Sequence, residues 1–148
     1  MPDLTPPDEA HQRPDGVGDD VIEATGKLSE ALEWIERARG RLYDLHQMIG
    51  RADFYVGDAA ELLDQAGHAE LAKRLRTEIV GRNVLPGRWT FQVVEEFDEH
   101  YWEPVRELER QVREALVAGR RHIYEAELTE RRRTHGLPGH ESRPDETS

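Results

Sequence analysis

The chain contains no cysteine, which excludes disulfides and thiolate metal centres and makes a reducing cytoplasm the simplest expected compartment. Serine is almost as scarce: Ser29, Ser142 and Ser148 are the three present, and two of them sit near the C-terminus. There is no G-x-S-x-G, no phosphate-binding glycine loop and no H-E-x-x-H. With no constellation to activate a nucleophile, the expectation is a non-enzymatic protein that needs no cofactor. No run of about 18 apolar residues exists, so no membrane-spanning segment is expected. The opening "MPDLTPPDEAHQRPDGVGDD" is acidic and proline-rich, the opposite of the basic and apolar regions of a signal peptide.

What remains is polar. Of 148 residues, 36% are apolar and 34% charged, which suits elongated helices better than a thick globule. The net charge is −11, unevenly spread: residues 119–143 carry six bases against four acids, whereas every other stretch is acidic. Both ends are poor in apolar residues. Composition therefore predicts disordered tails at 1–18 and 134–148 around a helical domain at 19–133.

The domain opens on Asp20-Val21-Ile22-Glu23, an acid-flanked helix start. From there Val21, Leu28, Ile35, Leu42, Ile49, Val56 and Leu63 recur every seven residues. Three residues after each come Ala24, Ala31, Ala38, Leu45, Ala52, Ala59 and Ala66. These heptads predict one long helix, continuous through Gly57 and stopped at Gly67, with its alanine line open to close approach by a partner. A further stripe, Trp34, Met48, Tyr55 and Leu62, widens the apolar face beyond what one antiparallel helix covers. "HAELAKRLRTEIVG" reads as a short amphipathic helix, and Pro86-Gly87 as a turn. A third helix is expected from a Thr90 cap through Phe91, Val94, Tyr101, Val105, Leu108, Val112, Leu116 and Ile123. Pro104 should kink it near 102–104, and Gly119 should serve as a close-approach point. The predicted fold is all-α: two long antiparallel helices with a short helix at the turn. Pairing into a four-helix-bundle-like homodimer is expected to cover what they leave open.

Three candidate chemistries arise. Metal binding would use Asp64 with His68 or Glu96 with His100, each four residues apart, although that spacing also describes a solvated helix face. No Glu-x-x-His pair of the di-iron type accompanies the helices. His46 and His122 are expected as hydrogen-bonded histidines along a dimer contact. Nucleic-acid binding would use Arg120, Arg121 and Arg131 to Arg133, but the overall charge opposes it, and arginines at a helix end complement the dipole. The stretch "VLPGRWTFQVVEEFDEHYWEP" reads first as a helix–helix corner, and the leading hypothesis for function adds a protein-partner surface there and in the residues just before it. Its members are Arg82, Asn83, Arg88, Trp89, Glu95, Glu99, His100 and Trp102, with Trp102 the aromatic expected to face outward. Phe91 and Val94 are expected in the core, with Trp89 and Phe91 closing the helix corner.

The stretches "ERARGRLYDLHQMIGRAD" and "EIVGRNVLPGRWTFQVVEEFDEHYW" resemble a family of small helical proteins from high-GC actinobacteria, over roughly residues 28–140. No activity attaches to that family. The resemblance implies a cytoplasmic bacterial protein and carries over no catalytic or ligand residue.

Overall fold

The computed structural model describes residues 5–143. A 3-10 turn at Glu9–His11 precedes helix α1 (Asp19–Gln65), then α2 (Ala69–Glu78) and α3 (Thr90–Phe97). A π-helical turn (Asp98–Trp102) leads into α4 (Glu103–Val117), and α5 (Ile123–Arg132) follows. Among the described residues no helix is long and apolar enough to cross a membrane. The extended pairing among them is one isolated bridge between Leu85 and Arg88.

Helix α1 is unbroken through Gly57, as its heptad phase predicts, and ends where Gly67 adopts φ 86°. Which face it buries differs from expectation. The Val21-to-Leu63 line is half-buried except at Ile49, but every member of the alanine line is exposed. Inside the chain the first line is joined instead by Thr25, Leu32, Arg39, His46, Asp53 and Ala60, all half-buried or buried. The polar members of that row lie inward because each has a specific partner. Arg39 donates to Asp98, His46 is hydrogen-bonded to Thr90, and Asp53 accepts the Gly81 amide.

The chain divides into two compact units: residues up to Trp34 with those from Val105 onward, and Ile35–Pro104. In the first, Ile22, Val117 and Ile123 form a small core that Val17 and Val21 flank. Above it lies a buried ion pair in which Arg113 Nε donates to Glu109 Oε1 at 2.9 Å. Ser29 donates to the same carboxylate, and Arg113 Nη1 to the Gly119 carbonyl at 2.7 Å, so neither charge is left unpaired. Residues 1–4 and 144–148 of the two expected tails lie outside the described residues. The described parts are engaged: Arg13 donates to Glu127 and Asp19, Arg120 to the Gln12 carbonyl, and Arg143 to the Pro6 carbonyl.

In the second unit, α1 contacts run in reverse order against the following chain. Asp53 meets Gly81, His46 meets Thr90, Arg39 meets Asp98, and Glu36 meets Trp102. This is the expected antiparallel return. The third helix, however, stops earlier than its apolar line implied. Helix α4 ends at Val117, Ala118 and Gly119 take φ of 56° and 73°, and His122 takes 58° before α5 begins. Gly119 is a turn residue, not a point of close helix approach. Thr90 is the first residue of α3; Trp89 precedes it, and its amide donates to the Gln92 side chain at 2.9 Å.

Candidate functional site

Pro104 is the second residue of α4 and lacks the amide that a continuous α-helix would use there. The preceding turn is widened to π geometry over Asp98–Trp102, which re-aims two side chains toward α1. Arg39 links them: Nε donates to Asp98 Oδ1 at 2.7 Å, Nη2 to Oδ2 at 3.0 Å, and the guanidinium stacks 3.9 Å from the Trp102 ring. Those hydrogen bonds raise the Arg39 pKa above its ordinary value. The Trp102 indole donates to Glu36 Oε1 at 2.9 Å. Trp102 is therefore half-buried against α1 and is not the outward-facing aromatic of this stretch.

The aromatics of this stretch that do face outward are Trp89, Phe91 and Tyr101, with Tyr101 51% exposed. Trp89 is 55% exposed and packs at a tilt against Phe91, ring centroids 5.3 Å apart; Phe91 itself is exposed rather than core, while Val94 is buried as expected. Arg88 pairs with Glu96 at 2.6 Å across the start of α3. Arg82, Asn83, Glu95, Glu99 and His100 are all exposed. The candidate surface thus keeps an aromatic and charged patch centred on Arg88 and Trp89, with Trp102 removed to the interior side.

A second surface lies on α1. Met48, Tyr55 and Leu62 are each about two-thirds exposed, at 62%, 65% and 63%. They run beside Ala38, Leu45, Ala52 and Ala59, which are exposed too. Isolated exposed apolar residues are ordinary; a contiguous apolar row along several helical turns is not.

The metal pairs suggested by spacing are otherwise engaged. Asp64 is ion-paired with Arg76, and Glu96 with Arg88. The structure instead assembles Glu33, His122 and Glu125, whose ligand atoms all lie within 4.8 Å of one another. Spacing alone gave no hint of this trio, because Glu33 is remote in sequence from the other two. His122 reaches it through its left-handed backbone at the start of α5, and Nδ1 stands 3.9 Å from Glu125 Oε1. His122 is thus an exposed terminus residue, and His46 is bonded within the chain to Thr90 at 2.7 Å. Glu33 and Glu125 also line an open groove of about 520 Å³ with Glu23, Glu30 and Tyr124. Gly26, which also lines it, passes close to Tyr124: a Cβ at Gly26 would stand 3.2 Å from the tyrosine Cβ.

The arginine-rich end is divided. Arg133 is buried and bound to Glu130, Arg120 is held by the N-terminal segment, and Arg131 and Arg132 sit in the last turn of α5. That placement fits dipole complementation.

Neither protein-family models, nor curated proteins, nor solved structures match this chain. What it does is read from its own geometry.

Proposed function

We propose that this is a non-enzymatic helical interaction protein that self-associates through α1 and offers a protein partner the patch around Arg88 and Trp89. The observation that carries the reading is the uncovered row Ala38, Leu45, Met48, Ala52, Tyr55, Ala59 and Leu62. Burying a residue such as Met48 or Leu62 fully is worth about 1.5–3 kcal/mol, so a row of them is a strong drive to find a cover. Residues 82–100 supply a second surface of the composition typical of binding hot spots, with arginine and tryptophan side by side. Light scattering should report about 34 kDa at micromolar concentration, twice the 17.1 kDa of the chain. A mass of 17.1 kDa throughout would overturn the self-association.

A second reading, a metal-binding helical protein, is favoured by Glu33, His122 and Glu125 alone. Two carboxylates and one imidazole suit a divalent transition ion with open positions for water. Calorimetric titration with Zn²⁺ or Co²⁺ tests it. Saturable uptake of one ion, lost in His122→Ala and kept in His68→Ala and His100→Ala, supports the trio. Uptake indifferent to His122→Ala eliminates it.

A further inference from the structure

The uncovered face of α1 also carries information about how a second copy would lie on it. This inference rests on the self-association proposed above. We propose that the two α1 helices pair antiparallel, with the two-fold axis crossing them at Gln47 and Met48.

Two patterns on the exposed face point to the same centre. The first is the seam itself. Ala38, Arg41, Leu45, Met48, Ala52, Tyr55, Ala59 and Leu62 follow one another at alternating spacings of three and four, which is a heptad seam distinct from the one used inside the chain. One row of this seam is nearly all alanine and the other nearly all bulky. In an antiparallel pair about this centre the bulky row of each helix faces the alanine row of the other: Met48 falls opposite the partner's Leu45, and Tyr55 opposite the partner's Ala38. A parallel pair in register would instead set each residue against itself, leaving alanine layers thin and stacking Arg41 on its own copy. The antiparallel layers centre the apolar seam between His46 and Gln47.

The second pattern is charge. Arg37, Asp44, Arg51 and Asp58 flank the seam at intervals of seven residues, all exposed and alternating in sign. Reversing the helix about 47–48 sets Arg37 against the partner's Asp58, and Asp44, which lies 3.7 Å from Arg41 in an exposed pair of its own chain, against the partner's Arg51. Symmetry repeats both contacts, so every flanking charge meets its opposite. A parallel pair in register places like charges at the same height on both helices. Apolar and charged patterns depend on different residues, yet their centres agree to within one residue. The seam from Ala38 to Leu62 is roughly 36 Å long at 1.5 Å per residue, long enough to define a register.

Because the chain has no cysteine, single cysteines report the geometry without background. Met48→Cys should cross-link to its own copy with a short bismaleimide. Ala38→Cys and Ala59→Cys should each fail alone, since each would lie roughly 30 Å from its counterpart, but should link to one another when the two proteins are mixed and allowed to exchange. Arg51→Asp should weaken the dimer about tenfold, and adding Asp44→Arg should restore it. Self-linking of Ala38→Cys would mean a parallel pair. A dimer by mass in which Met48→Cys does not link would also overturn the register, while leaving self-association standing. A monomer by mass would remove both.

Discussion

Trp102 illustrates how one side chain changes role with its surroundings. On an isolated helix it would be a large solvent-facing ring, available to a partner. Here its indole N–H is used by Glu36 and its face by the Arg39 guanidinium, which Asp98 holds in place. Trp102→Ala should therefore destabilise the fold, by about 1–3 kcal/mol from lost burial and cation–π contact, while Trp89→Ala should leave the urea midpoint nearly unchanged. The opposite ranking would return Trp102 to the surface. Binding should rank the other way: loss of Trp89 should weaken capture of a partner more than it affects folding. Glu130 gives a residue-scale pH signature. The hydrogen bond from Arg133 holds its carboxyl below the usual carboxylate range, with His135 contributing in the same sense. A pKa depressed by folding stabilises above the unfolded value, near 4.3, and the gain disappears as pH falls through the folded value. Glu130→Gln should accordingly flatten the loss of stability below about pH 4.3, measured as urea midpoints at several pH values. An acid limb identical to the wild type would show that the pair contributes nothing.

At the scale of elements, the turn between α4 and α5 is where stability can be added. Ala118 sits at φ 56°, a left-handed conformation that its Cβ disfavours, and it does so beside Gly119, which adopts it freely. Ala118→Gly should raise stability by about 0.5–1 kcal/mol, visible as a higher midpoint with unchanged helical content. A lower midpoint would mean that the methyl group is packed usefully. This turn was illegible in the sequence: the apolar line from Phe91 to Ile123 continues in phase across it, and alanine is a strong helix former. By contrast, the long helix, its continuity through Gly57 and its stop at Gly67 were legible, because seven heptads in one phase outweigh a single interior glycine. The buried face of α1 was only half legible. Hydropathy selects alanine over Arg39, His46 and Asp53, yet those three turn inward because Asp98, Thr90 and the Gly81 amide await them. Partners that satisfy a buried polar group come from far along the chain, and no local pattern announces them. The Glu33, His122 and Glu125 trio escaped for the same reason.

At the scale of the whole molecule, the chain combines a net charge of −11 with an apolar row that its own helices leave open. Charge of that size resists indiscriminate clumping, so an apolar row on such a surface selects for a partner that also matches its flanking charges. In the proposed antiparallel pair a second copy would meet that condition along α1. The proposed self-association would make pairing part of folding stability, since such a dimer would form only from the folded chain. For such a coupled equilibrium each tenfold rise in concentration adds about 0.7 kcal/mol per chain, which should lift the melting temperature by roughly 1.5–3 °C. Met48→Glu would put a carboxylate at the centre of the seam, next to its own copy. Since Met48 is largely exposed in the single chain, the variant should keep its helical content and lose the concentration dependence. Its melting temperature should match that of the wild type extrapolated to high dilution. A wild-type melting temperature constant across a hundredfold range of concentration would mean that α1 keeps its apolar row uncovered, and the row would then have to be explained by a different partner.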